Sequence, residues 1–419
     1  MAELSDPNAF LRMLFAEAVT RADPMRCVPD HLGPKPEGRC VVLGAGKASA
    51  RMAEAVEAAW GPMEGFVITR YGYDRPTRGI EIAQAAHPVP DAAGVAATRR
   101  LLSKAQDLTA DDTCIMLISG GGSALLCAPA EGITLEDKQA LAADMLASGM
   151  PIGDINGIRK ELSAVKGGRL AAAVHPAQLR VLMISDVPGD APGDIASGPT
   201  VGHAGNAALA LETLANWRVT PPPSIAAFLT AGGTPLNVQD PRLAGVENII
   251  VAAPSHSLKA AADLAMDHGV EVRILGDDLE GEARDLAAQQ AQLAVDLSAA
   301  GVDRPVLLLS GGECTVTRRG AGVGGPNAEF VLAAAVALQG HPKIHVIACD
   351  TDGVDGAAEV AGAVADPTTL ALGEAMGISA QAQLTENNAH GFFEAIGAQV
   401  VTGPTMTNVN DFRALLVMP

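Results

Sequence analysis

Aromatic side chains make up only 3% of this 419-residue chain, with two tryptophans and two tyrosines. Alanine, glycine, valine and leucine take their place, a mix that suits helices packed closely on a parallel sheet. Positive charge is scarce as well: 29 Lys and Arg against 48 Asp and Glu leave a formal charge of −19. That balance argues against a nucleic-acid reader, whose ligand needs a basic face. It also means that an anionic substrate must be drawn by a local positive cluster. The six cysteines (Cys27, Cys40, Cys114, Cys127, Cys314 and Cys349) form no C-x-x-C pair and have no zinc-like histidine spacing. They read as reduced core thiols. No apolar run approaches the ~20 residues of a membrane span, and the acidic N-terminus lacks the apolar stretch of a signal peptide. A cytoplasmic protein with a small-molecule substrate is expected, with no nucleic-acid or membrane partner.

The length exceeds one ordinary core, so two domains are expected. Pro221-Pro222-Pro223 and Gly232-Gly233-Thr234-Pro235 punctuate the middle, placing the boundary at 235/236. This gives an N-terminal domain over 1–235 and a C-terminal domain over 236–419, with the last strand free to return to the first. Helices are expected over 6–22, 48–60, 94–106, 135–148, 156–165, 255–267, 282–299 and 327–338. Strands are expected over 40–43, 65–69, 80–85, 113–118, 179–184, 247–252, 271–275, 306–310 and 343–349, with a final apolar strand. Alternating strands and helices joined by short glycine turns imply a doubly wound, Rossmann-like parallel sheet.

The most informative stretch is 113–123, an apolar run halted by Ser119-Gly120-Gly121-Gly122-Ser123. It reads as a buried strand, a turn without side chains and a helix start, which together favour an anion, usually phosphate. The same wording returns at 306–313, which ends in Ser310-Gly311-Gly312-Glu313. Gly44-Ala45-Gly46-Lys47 follows another strand. It is a defective dinucleotide fingerprint: Ser49 replaces the third glycine, and Arg70 stands where a ribose-binding acid belongs. It is not a Walker A loop either, since Val41 and Ala48 break that pattern. A lysine at a helix start opposes the helix dipole, so Lys47 is either a surface side chain or a grip on an anion.

Three carboxylates, Asp186, Asp190 and Asp194, lie on a Pro- and Gly-rich loop after a strand. They can hold Mg²⁺, take a hydroxyl proton, or serve only the turn. Asp350-Thr351-Asp352-Gly353 fails as a calcium loop, because Asp355 and Ala361 stand where Gly and Glu are needed. Mg²⁺ with phosphate, or a plain turn, remains. Arg159, Lys160, Lys166 and Arg169 form the densest positive cluster; Arg159 and Lys166 would share a helical face, for an anion or for solvent. His87 before Pro88 is either an acid–base group or a capped turn residue. Ser123 lacks the second glycine of a nucleophile elbow, which argues against a serine hydrolase.

Taken together and in order, these strings resemble the bacterial glycerate 2-kinase family. They are Gly44 to Ala48, His87-Pro88-Val89-Pro90-Asp91, Ser119 to Leu126, Arg159 to Ser163, Lys166 to Leu170, Ser185 to Asp190, Ile195 to Thr200, Ser310 to Glu313, Asp350 to Gly353 and Thr402 to Thr405. The C-terminal region of that family is called MOFRL, and many members carry the label hydroxypyruvate reductase. The resemblance implies two α/β domains with a cleft between them, and ATP-dependent phosphorylation of D-glycerate with Mg²⁺. It maps a catalytic or substrate-binding lysine onto Lys47. ATP is then expected on Gly120, Gly121, Gly122 and Ser123 and on Gly311, Gly312 and Glu313. Asp186, Asp350 and Asp352 are the expected metal ligands, and Asp190 the base. Lys47, His87, Arg159 and Lys166 are expected to hold glycerate, and a homodimer is expected. The chain departs from the family at Val323 and Pro326, which replace basic residues; Arg318 or Arg319 is the candidate substitute. A hydride-transferring reductase and a non-catalytic nucleotide or hydroxy-acid sensor are the rival readings.

Overall fold

The structure, a computed structural model, describes residues 3–234 and 236–419. Pro235, the last residue of the expected boundary motif, lies outside them. By contacts the chain divides into two units. The first comprises Pro24–Ser185 and Asp190–Val251; the second comprises the N-terminus up to Asp23, Asp186–Gly189 and Ala252–Pro419.

The first unit is built on β1 (Cys40–Ala45), β2 (Glu64–Arg70), β3 (Ile80–Ala85), β4 (Thr113–Ile118), β5 (Gln178–Ile184) and β6 (Glu247–Ala252). Their order across the sheet is β3-β2-β1-β4-β5-β6. The pairs from β3 through β5 run parallel, in the doubly wound arrangement expected of alternating strands and helices. β1 and β4 are buried along nearly their whole length, which is why they read as unbroken apolar runs. Gly44 is required where they pair: a Cβ there would stand 2.4 Å from the Leu117 carbonyl oxygen. A separate helical core packs Leu141, Met145, Ile155, Ile158 and Leu162 against Leu214, Ile225 and Leu229. It seats the helices Leu135–Ala147 and Ile152–Glu161.

The second unit holds β7 (Glu271–Gly276), the paired two-residue strands β8 (Gly281–Glu282) and β10 (Cys314–Thr315), β9 (Val306–Gly312), β11 (Ile344–Asp350), β12 (Gly362–Ala365), β13 (Gln399–Val400) and β14 (Asp411–Val417). Its main sheet has the order β13-β12-β11-β14-β9-β7 and is mixed, with only β7 and β9 parallel. The last strand stays in this unit, between β9 and β11.

The division differs from the expected 235/236 boundary at both ends. Helix Pro7–Ala22 buries Phe10, Leu11, Leu14 and Phe15 against Leu258, Ala261 and Phe412 of the second unit. Its apolar face has its core there, which outweighs its place in the sequence. At the other end, β6 joins the first sheet as its edge strand.

The second glycine motif is also not a turn before a helix. Gly311 and Gly312 lie inside β9, paired with Phe412 and Asp411 of β14. Gly312 has φ 103°, and a Cβ there would stand 2.3 Å from the Leu279 backbone nitrogen. The glycine serves a close chain crossing, and the next long helix begins only at Pro326.

Candidate active site

β1 and β4 are neighbours whose outer partners lie on opposite sides, so a crevice opens beyond their carboxyl ends. Gly46 leaves β1 with φ 141°, close against Ser119 at the end of β4. The Lys47 N–H donates to the Gly120 carbonyl (2.8 Å), and the Ala48 N–H to Ser119 Oγ (3.0 Å). Gly121 has φ 77°, and a Cβ there would stand 3.0 Å from both His87 Cδ2 and Lys47 Cγ. Lys47, His87 and the Gly120–Gly122 turn, expected from separate motifs, therefore come together at this crevice. The helix that follows, Gly122–Leu125, has four residues. So short a helix has little dipole to offer, and attraction of an anion falls to side chains.

The loop after β5 closes on this turn. Ser123 Oγ and Ser197 Oγ are 2.7 Å apart, and a Cβ on Gly122 would strike Ala196. Asp190, Ala196 and Ser197 all adopt left-handed backbone, with φ 53°, 54° and 60°. Such strain in non-glycine residues gathers where the surroundings hold a functional geometry. Asp190 also has a buried Oδ1 without a hydrogen-bond partner, a costly state for a carboxylate with no task. Asp194 is engaged by Lys160 at 3.2 Å.

Beside the turn lies a cavity of about 400 Å³ whose lining includes His87, Gly121, Ser123, Lys138, Arg159 and Lys166. No Asp or Glu among the described residues lines it. Lys166 is 2% exposed and donates to the Leu126 carbonyl at 2.7 Å. Burial, with Lys138 and Arg159 nearby, pushes its ammonium down to about 7. Burial also lowers Lys138 and Arg159 below their usual values. Helix Ile152–Glu161 ends before Lys166, so Arg159 and Lys166 do not share a helical face; the fold brings them to one cavity by another route. Arg169 donates to the carbonyls of Lys160, Lys166 and Thr234. Glu161 is buried beside His203 (3.5 Å) and forms no ion pair with Arg159. Lys138 was not expected, because Leu135–Ala147 reads as an ordinary helix. A larger hollow of about 540 Å³ lies at the amino ends of β4 and β5, near Thr113 and Gln178. Ligands of open α/β sheets gather at the other end.

The second unit carries the remaining candidates. Asp350 ends β11; its Oδ1 accepts from the Asp352 N–H, and Asp352 Oδ1 accepts from the Val354 N–H, both at 2.8 Å. Those are turn contacts of the local kind. Asn410 Nδ2 donates to the Asp186 carbonyl (2.9 Å), and the Asn410 carbonyl accepts from Thr351 Oγ1 (2.8 Å). Asp186, Asp350 and Asp352 are thus gathered around Thr351 and Asn410. Among the described residues no three His, Cys, Asp or Glu side chains form a metal cage. One or two carboxylates with substrate oxygens suit Mg²⁺. Glu313 is exposed, as are Arg318, Arg319 and Val323.

Pro326 opens helix Pro326–Leu338, and the Asn327 N–H donates to Asp355 Oδ1 at 2.9 Å. Asp355 also meets His390 Nε2 (2.9 Å), while Asn327 Nδ2 bonds Asp411 (2.7 Å). Asp411 pairs with the fully buried Arg413 at 3.0 Å. This polar core went unanticipated.

Residues 10–230 match the family described as a domain of unknown function (DUF4147), and residues 306–411 match the MOFRL family. A D-glycerate 2-kinase of Thermotoga maritima is 34% identical over 99% of this chain and 100% of its own length. The crystal structure of glycerate kinase from Thermotoga maritima superposes with a TM-score of 0.88, at 33% identity over 98% of this chain and 99% of that one. The chain belongs to the glycerate kinase family. A protein of Agrobacterium vitis, 48% identical over 97% of this chain and 94% of its own, bears hydroxypyruvate reductase as a provisional name. Both names expected of the family thus occur among the relatives. The Rossmann-like and MOFRL α/β architecture is the one the family shares. No helix among the described residues is long and apolar enough to cross a membrane.

Proposed function

We propose that the protein is an ATP-dependent kinase that phosphorylates the 2-hydroxyl of D-glycerate, giving 2-phosphoglycerate and ADP. The observation that carries this reading is the meeting of Lys47, His87 and Gly121 at the carboxyl ends of β1 and β4, beside a cavity of cations without counter-charge. Phosphoryl transfer needs chiefly positioning and charge neutralisation. Lys47 neutralises the moving phosphoryl group. Arg159 and Lys166, with His87, meet the carboxylate and the adjoining phosphate oxygens. Gly120, Gly121, Gly122 and Ser123 let phosphate approach the backbone. Asp190, held in a left-handed conformation with an unpartnered oxygen, takes the hydroxyl proton. Asp350 and Asp352, with Asp186, would hold Mg²⁺, which would supply charge neutralisation for phosphoryl transfer.

Arg70 supports the kinase over the reductase: its guanidinium lies 4.5 Å over the Tyr73 ring, at the strand end where a dinucleotide enzyme needs an acid. Six buried cysteines, none of them in a disulfide, suit a cytoplasmic setting; association as a homodimer belongs to the same reading. The test is ADP release from MgATP with D-glycerate, coupled through enolase, which accepts only the 2-phosphate. ADP release without enolase turnover would place the phosphate on the other hydroxyl, and NADH oxidation with hydroxypyruvate would favour the reductase.

A further inference from the structure

The cavity beside Gly121 is larger than a three-carbon acid needs. At about 400 Å³ it has the size of a nucleotide site, and its lining is both apolar and cationic. Leu135, Leu141, Ala142, Met145 and Leu146 of helix Leu135–Ala147 supply an apolar lining. Glycerate has no apolar face to lay there. Lys138, Arg159 and Lys166 line the cavity as well, and no carboxylate pairs with any of them among the described residues. Gln139 also lines the cavity. Its Nε2 donates to the Pro90 carbonyl at 2.7 Å, which fixes the amide and leaves Oε1 as an acceptor. Gly121 and Ser123, part of the phosphate turn, line the same cavity.

We propose that this cavity seats an adenine nucleotide. The base lies against the Leu141–Met145 wall, and Gln139 Oε1 accepts from its amino group. Lys138 and Lys166 hold the phosphates, whose last member reaches Gly121 and Lys47. The inference rests on the kinase reading for the class of ligand, and it adds a place for the base and two residues, Lys138 and Gln139, that no motif marked. No Phe, Tyr or Trp among the described residues lines the cavity, so the base is held by aliphatic contact and by one amide. Discrimination against a base with a carbonyl in place of the amino group then depends on Gln139, since two acceptors would face each other.

Calorimetry with the full-length protein tests this without turnover. ADP, IDP and inorganic tripolyphosphate are the probes. Lys138→Met should weaken ADP and tripolyphosphate by about tenfold or more, with the KM for glycerate unchanged. Gln139→Leu should weaken ADP several-fold, erase the preference over IDP and leave tripolyphosphate unaffected. Thermal unfolding of each variant checks that it folds. If Lys138→Met raises the KM for glycerate and leaves ADP binding intact, Lys138 serves the acid and not the nucleotide, and the proposal fails while the kinase stands. If ADP and IDP bind the wild-type protein equally, the role of Gln139 is wrong. Binding of ADP here with no phosphorylation of any hydroxy acid would overturn the kinase reading and leave the nucleotide site standing.

Discussion

Lys166 makes anion binding depend on pH in a calculable way. Burial, then Lys138 and Arg159, bring its ammonium from the ordinary 10.5 down to about 7. A fall of about 3.5 corresponds to roughly 5 kcal/mol at about 1.4 kcal/mol per pH unit. Lys138, Arg159, His87 and Cys127 line the same cavity, and none of them is an anion that could restore the charge. A phosphate or carboxylate placed against Lys166 would restore it. Below about pH 7 the lysine is already charged, so affinity should be flat there. Above that point the ligand must bring a proton with it. The logarithm of Kd for ADP should then rise with pH at a slope approaching ~1. Calorimetry at about pH 8, in two buffers of different ionisation enthalpy, should show proton uptake on binding. Lys166→Met should bind more weakly and lose the slope. The free protein should respond oppositely. Between a folded value of about 7 and the ordinary 10.5, the unfolded chain holds the extra proton. This group's contribution to stability therefore rises with pH across that window, and Lys166→Met should stabilise the protein at neutral pH. A flat Kd above pH 7 in the wild type, or the same slope in Lys166→Met, would refute the reasoning.

Further predictions concern other residues. Lys47→Ala should lower kcat by ~10²-fold or more without lowering the melting temperature. Asp190→Asn should lower kcat by ~10²- to 10⁴-fold, the range for a general base, with little change in KM. Gly121→Ala puts a Cβ against His87 and Lys47 in a left-handed conformation; it should cost about 1–2 kcal/mol in denaturant unfolding and reduce turnover. Arg413→Met leaves the buried Asp411 carboxyl without its cationic partner; about 3–5 kcal/mol of lost stability is expected by urea titration.

Where pattern and packing agree, the fold was legible. The strands expected over 80–85 and 247–252 have those bounds in β3 and β6, and the helix near 7–22 carries its predicted apolar face. The pattern misled at Gly311-Gly312, because glycines after an apolar run look like a turn. Only pairing with β14, about a hundred residues later in the chain, keeps them in a strand. The short helices Thr369–Ala375, Ala380–Thr385 and Ala389–Ala395 went unread, being too brief to show a period. Arg159 and Lys166 were found by charge density, although a shared helical face was the wrong reason. Lys138 had no sequence signal: only the fold turns it toward two other cations. The same holds for Arg413, an arginine in an apolar strand whose buried partner is two residues away.

The central claim is best tested by ADP release with MgATP and D-glycerate, followed through enolase. The account predicts prompt ADP release with matching enolase turnover, lost in Lys47→Ala. No ADP release from the folded protein with D- or L-glycerate, together with NADH oxidation on hydroxypyruvate, would contradict it.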